Sequence, residues 1–351
     1  MEPLKKKKLL LAGTKSIHIQ NYLRLIEDSF SEILVVTDQP LETGRHRNVT
    51  ASMSFKPITA IPSRLHHLRQ IIRDFNPDIL HVHQANTCAA YVLMANNTAA
   101  PVIVTAWGSD ILYTPQVSLA SRILLQFILK KGDYFTASCQ HMADLMKKYR
   151  PEMQQKILIA NFGIDFDFPN LPKEKIIYSN RYLNPHYQIG KIIDGFAEFH
   201  KTPENKEWKL VIAAEGSERK LLEQKVADLQ LNDAVQFTGW LSPEANKEFY
   251  ARAGLFISYA KTDSTSISLY EAMASGAIPV VTDYPANSEI IEDGKNGVLI
   301  HSNVADAITR GIALCKPEII SSNKILVKER AGKDSNRKKF NDLYLQAIHV
   351  G

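Results

Sequence analysis

Residues Asp263–Val281 read DSTSISLYEAMASGAIPVV. An apolar run, Leu255–Ser258, precedes them, so the order is strand, loop, helix, glycine turn at Gly276, strand. That is one repeat of a parallel α/β sheet, since a buried parallel strand reads as a short continuous apolar run and needs a crossover helix. Asp263 and the Ser264-Thr265-Ser266 cluster fall where the helix begins. Backbone N–H groups, hydroxyls and the helix dipole at such a tip favour phosphate oxygens. Glu271 lies about two turns further on, where a carboxylate can accept hydrogen bonds from adjacent hydroxyls, as on a ribose; Asp263 can do the same for a sugar. A plainer reading has Asp263 and Ser264 only capping the helix.

The same alternation runs through the rest of the chain. Upstream, β-rich runs at Lys8–Ala12, Ile33–Thr37, Ile79–Val82, Val102–Ala106, Phe135–Ala137 and Ile157–Ile159 alternate with helical stretches at Ile17–Phe30, Arg64–Phe75, Ala85–Asn96, Ser118–Lys131 and Gln140–Tyr149. After residues 166–172 (FDFPNLP), whose prolines interrupt the pattern, it restarts: Ile176–Ser179, Leu210–Ala213, Val235–Phe237, Leu255–Ser258, Ile278–Val281 and Val298–Ile300. The expected architecture is two Rossmann-like parallel-sheet domains facing each other across a cleft, residues 1–168 and 169–337, with a terminal helix within 338–351 packing back on the first. A basic stretch, Lys324–Lys339, precedes that helix.

Composition agrees with such a chain. Its 351 residues suit two domains, and 45% hydrophobic with 23% charged residues is an ordinary globular balance. A net charge of +5 suits an anionic partner but gives no case for nucleic acid. Three cysteines (Cys88, Cys139, Cys315) supply neither a disulfide frame nor zinc spacing, as expected of a reducing cytoplasm. The basic start is followed by too short an apolar run for a secretory core, and Ile79–Ser109, free of charged side chains, is interrupted before membrane-spanning length. The chain is expected to be soluble.

In the second half the resemblance is to retaining GT-B glycosyltransferases of family 4, and residues 263–281 carry it. Their acid-x7-Glu spacing followed by Ala-Met-Ala-x-Gly-x-Pro-Val-Val is similar to that family's signature. Asn180-Arg181 with Tyr187 resembles its Gly-Arg-x5-Lys diphosphate loop, Leu210–Gly216 its glycine turn, Phe237-Thr-Gly239-Trp240 its nucleobase loop, Asn161–Asp165 its domain junction and Asn296-Gly297 its late turn. In the first half the match rests on Gly13, Ser16-Ile-His18, His81-Val-His83 and Trp107-Gly108-Ser109-Asp110.

The resemblance implies transfer of a sugar from a nucleotide-diphospho-sugar to a hydroxyl acceptor, a glycan or lipid-linked glycan, with no metal and no cofactor beyond the donor itself. Asp263, Glu271 and Arg181 are then the catalytic candidates. Gly216, Gly239, Trp240, Leu241, Ser264, Thr265, Ser266 and Tyr187 are candidates for the donor, and Gly13, Ser16, His18, His83, Trp107 and Asp110 for the acceptor side. Four positions depart from the family: Asp263 replaces a glutamate, Tyr187 the phosphate lysine, Trp107 a histidine, and Ala214 the first glycine of a Gly-x-Gly turn. Two other classes stay open: a sugar-nucleotide epimerase or hydrolase, and a non-catalytic nucleotide-sugar-binding subunit.

Other motifs weigh less. His81 and His83 share a strand face but lack a third metal ligand, and His83, nearer the strand's end, is the better substrate contact. His66-His67 sits on an exposed helix. Asp165-Phe-Asp167 imitates a cation-binding pair but reads as linker. No dinucleotide, nucleophile-elbow or Walker signature is present. The apolar helix Ser118–Lys131, with its basic end, is either a core helix or one that meets anionic lipid at the inner face of a membrane.

Overall fold

The computed structural model describes residues 4–350, which form two compact units: residues up to Gly163 together with Lys333 onward, and Ile164–Gly332. The chain thus leaves the first unit just ahead of the FDFPNLP stretch and re-enters it after Gly332.

The first unit is a seven-stranded, all-parallel sheet. Its strands are β1 (Lys8–Gly13), β2 (Glu32–Thr37), β3 (Arg47–Thr50), β4 (Ile79–His83), β5 (Val102–Thr105), β6 (Tyr134–Ala137) and β7 (Ile157–Ile159), in the order β3-β2-β1-β4-β5-β6-β7. Leu9 pairs with both Ile33 and Ile79, so the most apolar run lies between two others and is buried on both faces. β3 has no counterpart in the sequence reading. Its residues, Arg-Asn-Val-Thr, are half-exposed at the sheet edge and carry no apolar run to reveal them. Instead the Asn48 amide fastens it, donating to the Val35 carbonyl at 3.1 Å and the Thr37 hydroxyl at 2.9 Å.

Two helices differ from expectation. The first stops at Ile26 rather than Phe30, and the last spans Lys333–Val350, starting ahead of the expected residues 338–351. That terminal helix buries Phe340, Leu343, Tyr344 and Ala347 in the first unit's core. Helix Leu119–Lys131 buries Leu125, Ile128 and Leu129 but exposes Leu119 and Ile123, 71% and 58% accessible. Among the described residues no helix is long and apolar enough to cross a membrane.

The second unit is a six-stranded parallel sheet of β8 (Glu174–Ser179), β9 (Lys209–Ile212), β10 (Val235–Phe237), β11 (Ala253–Ser258), β12 (Ile278–Thr282) and β13 (Val298–Ile300), ordered β10-β9-β8-β11-β12-β13. Strand order reverses between β8 and β11, so the loops after these two strands diverge and leave room beyond their carboxyl ends. Helix Ile267–Ser275 closes on Gly276, whose φ of 91° places it in the left-handed region that a glycine tolerates, and β12 starts two residues later.

Candidate functional site

The second unit gathers its candidates at the carboxyl end of its sheet. Arg181 follows β8, Gly216 follows β9, Gly239 and Trp240 follow β10, and Asp263 follows β11. One local expectation is corrected. Asp263 does not stand at the helix tip; helix Ile267–Ser275 begins later, and Ser266 is its N-cap, accepting from the Leu269 amide at 3.3 Å. The cause lies in Ser264 and Thr265, which extend the loop, Thr265 buried with its hydroxyl donating to the Ala286 carbonyl at 3.4 Å. Asp263 is therefore a loop residue, three positions ahead of the cap.

That position lets Asp263 pair with Arg181. One guanidinium nitrogen, Nη2, donates to the Asp263 carboxylate, and the two side chains are only 10% and 22% accessible. The Arg181 guanidinium carbon also stands over the Tyr187 ring, 4.5 Å from its centre. Burial pushes the Asp263 carboxyl up, while Arg181 and His186 pull it back toward the ionised form. His186 itself contacts the Thr262 carbonyl at 2.7 Å and so shapes this loop.

Glu271 sits in a second polar group. Tyr250 donates its hydroxyl to the Glu271 carboxylate and accepts from the Asn180 amide at 2.8 Å. Burial pushes the Glu271 carboxyl up to about 7, against the opposing pull of the Tyr250 hydrogen bond and of Lys247. Tyr250 was not among the sequence candidates. It lies on helix Pro243–Arg252, away from any family motif, and only folding brings it to Glu271.

The remaining candidates divide by what the fold already asks of them. A Cβ on Gly216 would lie 2.2 Å from the Leu183 carbonyl oxygen, so this glycine lets the Leu183 backbone pass. Gly239 has φ 72° and faces the Glu215 carboxylate. Leu241 packs half-buried against the core under β8 and β11. Trp240 is 56% accessible and meets Tyr182, itself 53% accessible, edge to face at 4.8 Å. Tyr182, also absent from the sequence candidates, extends the Tyr187 ring at 6.4 Å.

In the first unit the candidates collect at the carboxyl ends of β1, β4 and β5. Gly13 ends β1, and a Cβ there would strike Ile19 at 2.7 Å and approach His83 at 3.3 Å, so close packing accounts for this glycine. Ser16 caps helix Ile17–Ile26, accepting from the Ile19 amide at 3.4 Å. His18 lies 4.8 Å from the Trp107 ring and 5.9 Å from Phe162. His83 was expected to be an open contact and is fully buried. The Trp107 indole N–H donates to its Nδ1 at 3.2 Å, and Phe162 and Tyr22 cover the ring.

His81 is core. Its Nδ1 meets the Tyr344 hydroxyl at 2.7 Å and its Nε2 the Thr105 hydroxyl at 2.7 Å, while burial pushes its pKa down to about 3 and keeps it neutral. Asp110 is a structural carboxylate rather than an open one. It accepts from the backbone amides of Ala85 at 2.8 Å, Gly108 at 2.8 Å and Trp107 at 3.1 Å, tying the loops after β4 and β5 together. Among the described residues no group of three or more His, Cys, Asp or Glu is placed to hold a metal ion.

Two Rossmann-like parallel sheets, one in each unit, are the architecture of the GT-B class. A model described as glycosyl transferases group 1 matches residues 163–323, and one described as glycosyl transferase 4-like matches residues 7–139. The second unit is thus similar to the group 1 glycosyl transferases and the first to the glycosyl transferase 4-like proteins. It is 27% identical over 213 residues to an alpha-monoglucosyldiacylglycerol synthase of Streptococcus pneumoniae, covering 58% of this chain and 46% of that one. Over 272 residues it is 25% identical to the N-acetyl-alpha-D-glucosaminyl L-malate synthase of Bacillus anthracis, covering 73% and 70%. The chain thus spans under half the length of the first relative and 40% of the corresponding synthase of Acholeplasma laidlawii. The fold is that of HepE from Anabaena, solved with UDP and glucose, at TM-score 0.79 and 14% identity over 97% of this chain and 100% of that one.

Proposed function

We propose that this protein moves a sugar from a nucleotide-diphospho-sugar to a hydroxyl acceptor with retention of anomeric configuration, the second unit taking the donor and the first the acceptor. The observation that carries this reading is the convergence of Arg181, Asp263 and Glu271 beyond the strands of one sheet, within the segment that matches group 1. Departure of the diphosphate is the costly step because negative charge grows on it. Arg181 and the N-terminal end of helix Ile267–Ser275 are fixed dipoles and charges that meet that charge without reorganising. Glu271 accepts from the ribose hydroxyls and Asp263 from the sugar. No resident metal or cofactor enters this scheme, and activity is expected to survive chelation.

The test is incubation with a panel of nucleotide-sugars, with and without glycan and glycolipid acceptors. Glu271→Ala should reduce transfer by at least about a hundredfold, and near-normal transfer would refute the assignment. An epimer, or rapid release of free sugar without acceptor, would favour an epimerase or hydrolase. Nucleotide binding without turnover against any acceptor would favour a non-catalytic subunit.

The acceptor we favour is held at a lipid surface, as glycolipid or lipid-linked glycan, with the protein at the inner face of the membrane. Tyr113, Val117, Leu119 and Ile123 expose large apolar side chains over one short stretch, with Arg122, Lys130 and Lys131 beside them. Co-sedimentation with vesicles containing anionic lipid, lost in Leu119→Asp/Ile123→Asp, supports this placement; equal recovery with neutral and anionic vesicles removes it.

A further inference from the structure

We propose that Asp263 is an internal stand-in for phosphate: its carboxylate occupies Arg181 in the ligand-free protein, and the donor's diphosphate takes Arg181 over and releases Asp263 to the sugar. This rests on the function proposed above and adds to it a coupling between the two halves of the donor.

Four features of the second unit lead there. First, Arg181 is nearly buried, and a desolvated guanidinium needs a counter-ion; Asp263 supplies it. Second, Asp263 engages Arg181 through Nη2 alone, and Arg181 Nε is buried without a hydrogen-bond partner. The fork that would grip an oxyanion with two parallel bonds is half used, and a phosphate group has the oxygens to fill it.

Third, Tyr187 stands where a lysine would add a second cation. Its ring packs against the guanidinium but brings no charge to draw a diphosphate in. Lys191 Nζ sits instead over the Tyr259 ring at 5.7 Å, and Arg219 is committed to Glu215 at 2.9 Å and Glu223 at 2.6 Å. Fourth, Asp263 belongs to an irregular loop between β11 and helix Ile267–Ser275, so its release breaks no helix or sheet hydrogen bond.

The energetic consequence is a competition. A ligand that needs Arg181 binds with an affinity reduced by the fraction of molecules in which Arg181 is open. A nucleoside diphosphate alone displaces Asp263 and leaves a half-buried carboxylate without its cation. A donor carrying its sugar gives that carboxylate hydroxyls to accept from. The protein should therefore bind the complete donor better than the nucleotide, an order that many nucleotide sites reverse because the free diphosphate carries more charge.

Calorimetric titration without turnover tests this, using uridine, guanosine and adenosine diphosphates and the matching nucleotide-sugars. Asp263→Asn, which preserves shape, should bind the preferred diphosphate about tenfold more tightly than wild type and lose the preference for the sugar-bearing form. The gain should persist in about 0.5 M NaCl, because a contact pair is screened less than a diffuse field. Asp263→Ala should behave alike, and in an Arg181→Gln background Asp263→Asn should add nothing. Unchanged or weaker diphosphate binding in both Asp263 variants, or a gain that salt abolishes, overturns the stand-in while wild-type binding keeps the functional reading. If neither wild type nor the variants bind any diphosphate, the functional reading fails and this proposal with it.

Discussion

Glu271 is the residue whose environment makes the sharpest demand. Its carboxyl has moved from an ordinary 4.5 to about 7 under burial, so the folded protein holds this proton more firmly than the unfolded chain does. Stability falls with rising pH wherever the native state binds the extra proton, here between about 4.5 and 7. Below that window both states are protonated and Glu271 is neutral in its effect; above it the full cost of a buried carboxylate is present. A displacement of about 2.5 pH units corresponds to roughly 3 kcal/mol, and since Glu271 is half-buried rather than sealed a cost of about 1–3 kcal/mol is the working range.

Glu271→Gln keeps the volume and an acceptor for Tyr250 while removing the charge. It should raise the unfolding midpoint by roughly 3–8 °C at about pH 8 and leave it unchanged at about pH 5. Thermal unfolding followed by circular dichroism at both pH values reads this directly. A midpoint that rises equally at both, or falls at about pH 8, would refute the reasoning. The first result would mean that packing rather than charge is responsible, the second that the carboxylate is a net stabiliser.

Other outcomes follow from the same geometry. Tyr250→Phe removes a hydrogen bond that favours the Glu271 carboxylate, so the midpoint of the pH dependence of nucleotide binding should move upward, as a titration from about pH 5 to 9 would read. Gly216→Ala puts a methyl against the Leu183 carbonyl and should destabilise the second unit by about 1–3 kcal/mol in urea unfolding. Asp110→Asn turns an amide N–H toward backbone donors and should cost about 2–3 kcal/mol of stability by the same measurement.

Most of the fold was legible because parallel strands announce themselves. Leu9–Ala12, Ile33–Val36 and Leu255–Ile257 are apolar throughout, and an interior strand buried on both faces has no other way to read. β3 was illegible for the complementary reason: an edge strand held by the Asn48 side chain has no need of apolar residues. The extent of the last helix was masked by its composition. Its first turns are Lys-Asp-Ser-Asn-Arg-Lys-Lys, and only from Phe340 does an apolar face appear. In the candidate site the motif resemblance singles out Arg181, Asp263 and Glu271, but nothing in the sequence states that Arg181 and Asp263 are partners or that Tyr250 meets Glu271. Those contacts join positions 82 and 21 residues apart, on loops and helices whose meeting is set by packing.

A motif residue's chemistry is what remains after the fold has used it. Asp110 gives its carboxylate to three backbone amides, Ser266 accepts its helix's Leu269 amide, and Gly216 makes room for Leu183. These positions would be required in a protein of this shape whether or not it bound a sugar. Glu271 and the Arg181–Asp263 pair differ in kind. Each keeps charge in a partly desolvated place where the fold alone would be better served by a neutral side chain, and each leaves capacity unspent: a carboxylate bonded by one phenol, a guanidinium with Nε unpartnered. A site that carries such a cost without a structural return is where ligand binding has something to recover, and in this chain both instances fall beyond the strands of the second unit, inside the segment that matches group 1.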